Sequence, residues 1–277
     1  MTATTAAVSA PAAETRAAGF GALLLSEWTK IRSVRSTLWS LVLLFALTQL
    51  FTVLFIQMGV ANWDKAEPAQ RAAITLDPTG TILGSGILLS QLAICVLGVL
   101  VVTAEYSTGM IRASLLAVPT RVPMLAAKGA VFASLVLVVG ELTALCSFLI
   151  GAPIIRQKVP VGLGDPGVLR AVLGCGLYLA VLSLFALAVG AIVRHTAAGI
   201  TVVIGLVLVI APMANLLPGD AGRYVRGSLP TEAGRLITQQ HPAEGDVLGP
   251  WQGLGVMALW TAVLLVVAAV LLRRRDA

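Results

Sequence analysis

Charged residues are scarce in this chain of 277 amino acids. Only 12 % of the residues are charged, whereas a soluble domain typically carries about 25 %. Apolar residues make up 58 % of the chain, and the mean hydropathy is +0.94. Disordered chains show the opposite combination, low hydrophobicity with high net charge. The composition therefore excludes a soluble enzyme and a disordered protein, and it indicates an integral membrane protein.

Residues that bind metals or carry out catalysis are also few. The three cysteines lie within apolar runs, and their odd number and spacing predict neither a disulfide framework nor a zinc site. The two histidines, His195 and His241, are predicted to face opposite sides of the membrane, and neither begins an HExxH motif. No GxSxG motif is present. We expect no catalytic residue, metal or cofactor in this chain.

Lysine is especially rare, and no lysine follows a glycine. The four lysines, Lys30, Lys65, Lys128 and Lys158, are preceded by Thr, Asp, Ala and Gln. A phosphate-binding loop of the Walker type requires the pattern GxxxxGK[ST]. If ATP drives this protein, we expect a separate subunit to hydrolyse it. The formal charge of +6 does not indicate nucleic-acid binding, since membrane proteins concentrate basic residues in their cytoplasmic loops.

Six apolar runs are long enough to cross a membrane. A bilayer core about 30 Å thick requires about 20 apolar residues in a helix. The predicted spans lie at about Leu38–Met58, Ile82–Ala104, Met124–Ile150, Val168–Val193, Ala197–Leu217 and Trp251–Leu272. The sequence thus predicts an all-α polytopic membrane protein with a single transmembrane domain over residues 19–277. Residues 1–18 form a polar tail of small residues, which we expect to be cytoplasmic, disordered and uncleaved.

The distribution of charge predicts the orientation of the spans. With the N-terminus in the cytoplasm, the cytoplasmic segments hold eleven basic and four acidic residues, a net charge of +7. The outer segments hold eight basic and eight acidic residues. Because basic residues are enriched on the cytoplasmic side, we expect both termini to be cytoplasmic.

The segment ahead of the first span has an amphipathic pattern that predicts an interfacial helix over about residues 20–37. Its apolar face consists of Phe20, Leu23, Leu24, Trp28, Ile31, Val34 and Leu38. Glu27 also lies on this face, where a carboxylate is costly unless it is paired. Lys30 one turn later is a partial partner. Either Glu27 pairs locally, or it meets another cytoplasmic element.

The loop between the second and third spans combines polar ends with an apolar middle. This pattern predicts a short helix over about residues 105–118 that ends at Pro119. On that helix Glu105, Gly109 and Arg112 share one face, which we expect to be presented to the cytosol. The loop is interpreted either as a docking element for a partner or as a solvated connection between spans.

Three motifs together resemble those of a known family. The pattern Glu-Tyr-x-x-Gly-Met-Ile-Arg-x-x-Leu-x-x-x-Pro-x-Arg begins at Glu105, SEWTKIRSVRS precedes the first span, and SLPTEAGRLI precedes the last. With the span count and orientation, they resemble the permease subunits of bacterial ABC transporters of the type-2 exporter class. The resemblance covers nearly the whole chain, although Met110 stands where many relatives carry Thr.

This resemblance implies a function and partners. In the family, the helix before the first span is an elbow helix, and the loop after the second span is a coupling helix seated on a separate ATP-binding subunit. The partner-coupling residues implied here are Glu27, Lys30, Glu105, Tyr106, Gly109, Arg112, Pro119 and Arg121. ATP and magnesium would bind to that partner, and a second permease subunit would complete the pair in the bacterial cytoplasmic membrane. The outer loop, at about residues 218–250, packs back as a partly re-entrant lid in the family.

Polar residues inside the predicted spans are candidates for a translocation path. Glu141 in the third span is a functional hypothesis by default, although it could serve packing alone. Thr48, Gln49, Thr52 and Gln91 either line a substrate cavity or bond between helices. Two other functions stay open, namely a self-contained secondary transporter that uses Glu141 and a non-transporting membrane scaffold or sensor.

The predicted topology can be tested by thiol labelling. Cysteines introduced within residues 1–18 or after Ala277 should be protected from membrane-impermeant reagents in intact cells, because both termini are expected in the cytoplasm. The same cysteines should react once the cells are permeabilised. Labelling of either terminus in intact cells would overturn the topology.

Overall fold

The helices of the protein account for most of the described chain. A computed structural model describes residues 19–107, 121–241 and 246–275, and these ranges contain no β-strand. The helices, numbered along the chain, are α1 (Phe20–Ser33), α2 (Arg35–Ala61), α3 (Pro68–Leu76), α4 (Pro78–Ser107), α5 (Arg121–Ile155), α6 (Val168–Val193), α7 (Thr196–Met213), α8 (Gly219–Ser228), α9 (Pro230–Arg235) and α10 (Pro250–Arg275). Within α7, residues Gly205–Ile210 form wider π-helical turns.

Six helices, α2, α4, α5, α6, α7 and α10, are long and apolar enough to cross a membrane. This finding confirms the predicted all-α polytopic fold with six spans. Several helices extend beyond the apolar runs that predicted them; α4, for example, begins at Pro78 instead of Ile82 and ends at Ser107 instead of Ala104. Helix α6 has the predicted bounds, and α7 ends at Met213 instead of Leu217. Hydropathy identifies the apolar part of a span, whereas backbone hydrogen bonds continue the helix past it.

The interfacial helix is shorter than predicted. Helix α1 ends at Ser33, because Val34 takes an extended backbone conformation with φ −85° and ψ 93°, and α2 begins at Arg35. Residues 35–37, which were expected in the interfacial helix, therefore belong to the helix of the first span. The prediction was wrong on this boundary because the apolar pattern continues across the break.

Helix α6 lies at the centre of the bundle. In its most apolar stretch 78 % of the residues are buried, against 22 % in α7 and 17 % in α10. Small residues allow the neighbouring backbones to approach α6 closely. A methyl group added at Gly98 of α4 would lie 2.8 Å from the Cβ atom of Ala186 and 2.9 Å from the carbonyl oxygen of Ser183, both in α6. Gly190 of α6 makes a similarly close approach to Val99.

Helix α9 and the chain that follows it fold back against the spans. This occurs at the end of the bundle that carries α3, called here the α3 end, opposite the α1 end that carries α1. Ile237 is fully buried against Gly174 of α6, and Gly234 lies against Met257 of α10. Residues 230–241 of the predicted outer loop thus pack onto the bundle, and residues 242–245 lie outside the described ranges.

Hydrogen bonds hold this returning chain in place. Arg170 of α6 donates to the carbonyl oxygens of Gln239 and Gln240 at 3.0 and 2.8 Å. The carboxylate of Asp77, just ahead of α4, accepts from the backbone N–H groups of Gln240 at 2.9 Å and Gly80 at 2.8 Å. Burial raises the pKa of Asp77, although both N–H groups act in the opposite direction.

The packing of α4 on α6 can be tested with two alanine variants of the same helix. Gly98→Ala should lower the free energy of unfolding by about 1–3 kcal/mol, since the added methyl group overpacks the helix contact. Gly84→Ala is the matched control, because a methyl group there meets no atom within 4 Å. Alanine is also the better helix former, so Gly84→Ala should leave stability unchanged or raise it by up to about 1 kcal/mol. Equal thermal unfolding temperatures for both variants in detergent would contradict this packing.

Candidate functional site

Two glutamates and two lysines meet at the α1 end of the bundle. Glu27 and Lys30 come from α1, Glu105 comes from the last turn of α4, and Lys128 lies near the start of α5. We call these four residues the ion cluster. It joins α1 to two consecutive helices of the described chain, α4 and α5, that lie much later in the sequence.

Each lysine of the ion cluster contacts both carboxylates. The ammonium of Lys128 donates to Oε2 of Glu27 at 2.6 Å and to Oε1 of Glu105 at 2.8 Å. The ammonium of Lys30 donates to Oε1 of Glu27 at 2.6 Å and to Oε1 of Glu105 at 3.1 Å. Two cations therefore share two anions in a closed and charge-balanced arrangement, with hydrogen bonds made to the charged groups themselves.

Three members of the ion cluster are deeply buried. Glu27 is 2 %, Lys128 4 % and Glu105 6 % exposed. A buried charge is costly unless it is paired and hydrogen-bonded. Burial alone lowers the pKa of the Lys30 ammonium, but the carboxylates of Glu27 and Glu105 outweigh this effect, and the net pKa is raised. Lys30 therefore stays charged at neutral pH.

The sequence of α1 explains why two members of the ion cluster lie side by side. Glu27 and Lys30 are three residues apart, so they are neighbours on the helix surface. Leu23 and Ile31, each four residues from Glu27, are buried on the same face, whereas Trp28 is exposed. The buried face of α1 thus carries Glu27 into the bundle.

The ion cluster combines the two interpretations of Glu27. Its carboxylate pairs locally with Lys30, and it also meets Lys128 of another helix. The expected presentation of Glu105 to the cytosol is wrong, because its carboxylate is buried between two lysines. Helix α4 continues to Ser107, so Glu105 belongs to the end of a span and not to a separate helix.

A second contact joins the end of α4 to the turn between α6 and α7. The guanidinium of Arg194 lies over the ring of Tyr106, 5.1 Å from the ring centre. The hydroxyl of Thr196 donates to that of Thr103 at 2.9 Å. Arg194 itself takes a left-handed backbone conformation with φ 60°, which makes this turn tight. The end of α4 is therefore a junction between α1, α5 and the α6–α7 turn.

Part of the predicted coupling element lies outside the described residues. Residues 108–120 are not described, and they include Gly109, Arg112 and Pro119. Arg121 begins α5. Both flanks of this loop are nevertheless fixed, since Glu105 precedes it and Lys128 follows it by about two helical turns. The partner-coupling role of all these residues stays a prediction.

The polar residues of the first span bond to neighbouring spans. Thr48 shares a hydrogen bond of 2.8 Å with Ser90 of α4. The side-chain amide of Gln49 donates to the carbonyl oxygen of Thr143 at 3.1 Å and accepts from the hydroxyl of Ser147 at 3.2 Å. Thr52 also donates to Ser147, at 3.4 Å. These bonds join α2 to α4 and α5, and a role in translocation stays a prediction.

The other two candidates for a translocation path have different surroundings. Gln91 of α4 accepts a hydrogen bond of 3.0 Å from the hydroxyl of Tyr178 and borders a cavity near the α3 end. Glu141 of α5 lies against Gly176 of α6, where its carboxyl group occupies the space that a Cβ atom would take. Its Oε2 atom is buried and has no hydrogen-bond partner among the described residues.

Sequence reasoning missed Lys128 as a site residue. It was counted only as a cytoplasmic charge, although it lies within the apolar run Met124–Ile150 that predicted the third span. A charge inside a span is a functional hypothesis by default, and that rule would have identified Lys128 as it identified Glu141. Its partners could not be predicted, since they come from two other helices.

Comparison with known proteins identifies no family for this chain, since neither a family model nor a curated protein matches it. The described residues hold no group of three or more His, Cys, Asp or Glu side chains that could bind a metal. The resemblance to type-2 ABC permeases therefore stays a prediction, and function is argued from the ion cluster and its surroundings.

The charge balance of the ion cluster makes a testable prediction. Lys128→Met leaves two buried carboxylates with one ammonium, so it should lower the free energy of unfolding by about 3–5 kcal/mol. The double variant Lys128→Met with Glu105→Gln keeps the Glu27–Lys30 pair and restores the balance. We expect the double variant to be more stable than Lys128→Met alone in thermal unfolding of the purified protein.

A surface lysine provides the matched control. Lys158 pairs at 3.8 Å with Asp64, which is largely exposed, so Lys158→Met should change stability by less than about 1 kcal/mol. A double variant that is less stable than Lys128→Met would show that charge balance does not govern the ion cluster.

Proposed function

We propose that this chain is the membrane-spanning permease subunit of an ATP-driven ABC exporter. The observation that carries the proposal is the ion cluster, which ties α1 to the two helices on either side of the 108–120 loop. The loop is the coupling element, and it docks on a separate ATP-binding subunit. Glu105 and Lys128 anchor its flanks instead of contacting that subunit directly.

The ion cluster suits the transmission of force from a partner to the spans. Buried ion pairs are expensive to separate, because each separated charge is left without compensation. Helices α1, α4 and α5 are therefore displaced together when the loop between α4 and α5 is pushed. Because these three helices move as one unit, a local movement of the loop becomes a displacement of whole spans.

The end of α4 also connects the ion cluster to α7. The Tyr106–Arg194 contact and the Thr103–Thr196 hydrogen bond connect the end of α4 to the start of α7. Helix α7 contains the π-helical turns Gly205–Ile210, and such turns are frequent at functional sites. Displacement of α1, α4 and α5 is transmitted to α7, where the π-helical turns accommodate the change of position.

The partners follow from this mechanism. The ATP-binding subunit, with ATP and magnesium, sits at the α1 end, which the distribution of basic residues assigns to the cytoplasm. A second permease subunit pairs with this chain to enclose the translocation path in the cytoplasmic membrane of a bacterium. The exposed apolar faces of α2, α7 and α10 contact lipid and this second subunit.

The proposal predicts the effect of a loop variant on ATP hydrolysis. The chain is co-expressed with the ATP-binding protein encoded beside it, and the complex is purified in nanodiscs. Arg112→Ala should lower the ATPase activity of the complex at least five-fold or abolish co-purification, since it removes a charge from the proposed coupling element and leaves the four residues of the ion cluster unchanged. Arg226→Ala, at the α3 end, is the matched control and should behave as the wild type. Wild-type co-purification and ATPase activity in Arg112→Ala would contradict the coupling role of the loop.

A second candidate function is a secondary transporter that couples to protons through Glu141. The specific observation in its favour is the buried Oε2 atom of Glu141 without a hydrogen-bond partner among the described residues. Glu141→Gln would then abolish transport in vesicles that contain this chain alone. An exporter of the proposed kind requires the ATP-binding subunit for any transport, so vesicles without that subunit separate the two functions.

A further inference from the structure

A cavity of about 410 Å³ lies at the α1 end, between α1 and the spans α2 and α4. We call it the α1 cavity. All four residues of the ion cluster line one side of it. Small-molecule sites usually have volumes of about 300–1,000 Å³, and the α1 cavity falls within that range.

Lys30 is the member of the ion cluster that is most accessible from the α1 cavity. The side chains of Glu27 and Glu105 are only 3 % and 8 % exposed, and each of them pairs with both lysines, whereas the side chain of Lys30 is 33 % exposed. An ammonium group has three N–H donors. Two of those of Lys30 bond to Glu27 and Glu105. The third has no partner among the described residues, so it is left for a ligand.

Three hydroxyl groups at the start of α2 border the same space. Ser36, Thr37 and Ser40 line the α1 cavity, and their hydroxyls make no hydrogen bond within the described chain. Other hydroxyls of the spans donate to the carbonyl oxygen one turn earlier, as that of Thr103 does. Ser36 is exposed, and the hydroxyls of Thr37 and Ser40 are not buried, so all three are accessible. Together with Lys30 they offer hydrogen-bond donors to an acceptor group.

The wall that α4 contributes is apolar and follows that helix into its span. Leu97, Leu100 and Val101 line it. Leu97 lies eight residues before Glu105, a distance of about 12 Å along the helix. Two of the apolar lining residues also reach the outer surface, since Val34 is 47 % and Leu100 37 % exposed. In a bilayer such an apolar edge contacts hydrocarbon, so the α1 cavity is open to lipid.

The charges around the α1 cavity favour an anionic ligand. Glu27 is the single acidic residue of α1 and α2, and its charge is already paired with the lysines. Arg32 and Arg35 are exposed on either side of Val34, which lines the cavity. These two arginines give this end of the cavity a net positive charge. Basic residues near a membrane surface attract anionic lipids.

We propose that the α1 cavity binds an anionic phospholipid from the leaflet at the α1 end. The phosphate group accepts hydrogen bonds from Lys30 and from the three hydroxyls of α2, because charged acceptors form the stronger hydrogen bonds. One acyl chain lies along α4 beside Leu97, where it gains free energy by contact with apolar side chains. The lipid thereby joins α1 to two spans next to the ion cluster. Its binding is a property of this chain alone and does not depend on the exporter function.

Photolabelling in nanodiscs tests the site. The probe is phosphatidylglycerol with a diazirine in one acyl chain, as a minor component of a phosphatidylcholine bilayer, and labelled peptides are located by mass spectrometry. We expect labelling of α4 around Leu97 and Leu100. An excess of unlabelled phosphatidylglycerol should lower this labelling at least three-fold, whereas the same amount of phosphatidylethanolamine, which has no net charge, should not. Soluble glycerol 3-phosphate should leave it unchanged, since it lacks the acyl chain.

A variant that fills the α1 cavity tests its position. Ser40→Leu places a larger apolar side chain in the cavity and removes one hydroxyl, so it should lower the labelling at least five-fold. Ala46→Leu is the matched control, because Ala46 is an exposed residue of the same helix that does not line the cavity. Thermal unfolding of both variants shows that they are folded.

A triple variant tests the recognition of the phosphate. Ser36→Ala with Thr37→Val and Ser40→Ala removes the three hydroxyls with little change of shape. It should lower labelling by the phosphatidylglycerol probe at least three-fold without lowering the unfolding temperature. The matched control is Ser26→Ala with Thr29→Val and Ser33→Ala, which removes three hydroxyls that donate to carbonyl oxygens of α1 itself and do not line the cavity.

Three results would overturn the site. Equal competition by phosphatidylglycerol and phosphatidylethanolamine, or unchanged labelling in a folded Ser40→Leu variant, would indicate bulk lipid contact only. Competition by glycerol 3-phosphate would assign the polar end of the cavity to a soluble phosphate ester instead of a lipid.

Discussion

The pairing of two buried carboxylates with two ammonium groups is the constraint on which the α1 end of this protein depends. The charges of Glu27 and Lys128 cannot be separated without leaving each of them uncompensated in a buried site. Helix α1 is consequently attached to the spans by charge as well as by the apolar contacts of Leu23 and Ile31. Residues 108–120 therefore lie between two helices that are fixed to each other and to α1.

The α3 end is organised by hydrogen bonds between charged side chains and the backbone, instead of by ion pairs. Arg170 and Asp77 hold the backbone of Gln240 against α4 and α6. Between the two ends, glycines such as Gly98 bring α4 against the central helix α6. Helix α4 therefore contributes to both ends, with Glu105 at one end and Gly84 at the other, and it is the structural connection between them.

Much of the fold follows from the sequence, because burial in a bilayer imposes a simple rule on composition. Each span had to be an apolar run of about 20 residues, and all six runs are helices in the structure. The break at Val34 was not predictable, since the apolar pattern runs through it without a proline or glycine.

The amphipathic pattern of α1 did identify Glu27 as a residue that needs a partner. That partner, Lys128, is contributed by α5. The packing of α1 against α4 and α5 could not be predicted from the sequence of any one of these helices.

The central claim is that ATP turnover at the α1 end changes the structure at the α3 end through α4. The most direct measurement uses Gly84→Cys in a chain whose three native cysteines are replaced by alanine, reconstituted in nanodiscs with the ATP-binding subunit. The rate at which this cysteine reacts with a soluble maleimide is compared with and without ATP and magnesium. The account predicts that ATP changes this rate at least three-fold, and that Arg112→Ala abolishes the change. An identical rate in both conditions, in a complex that hydrolyses ATP, would contradict the account.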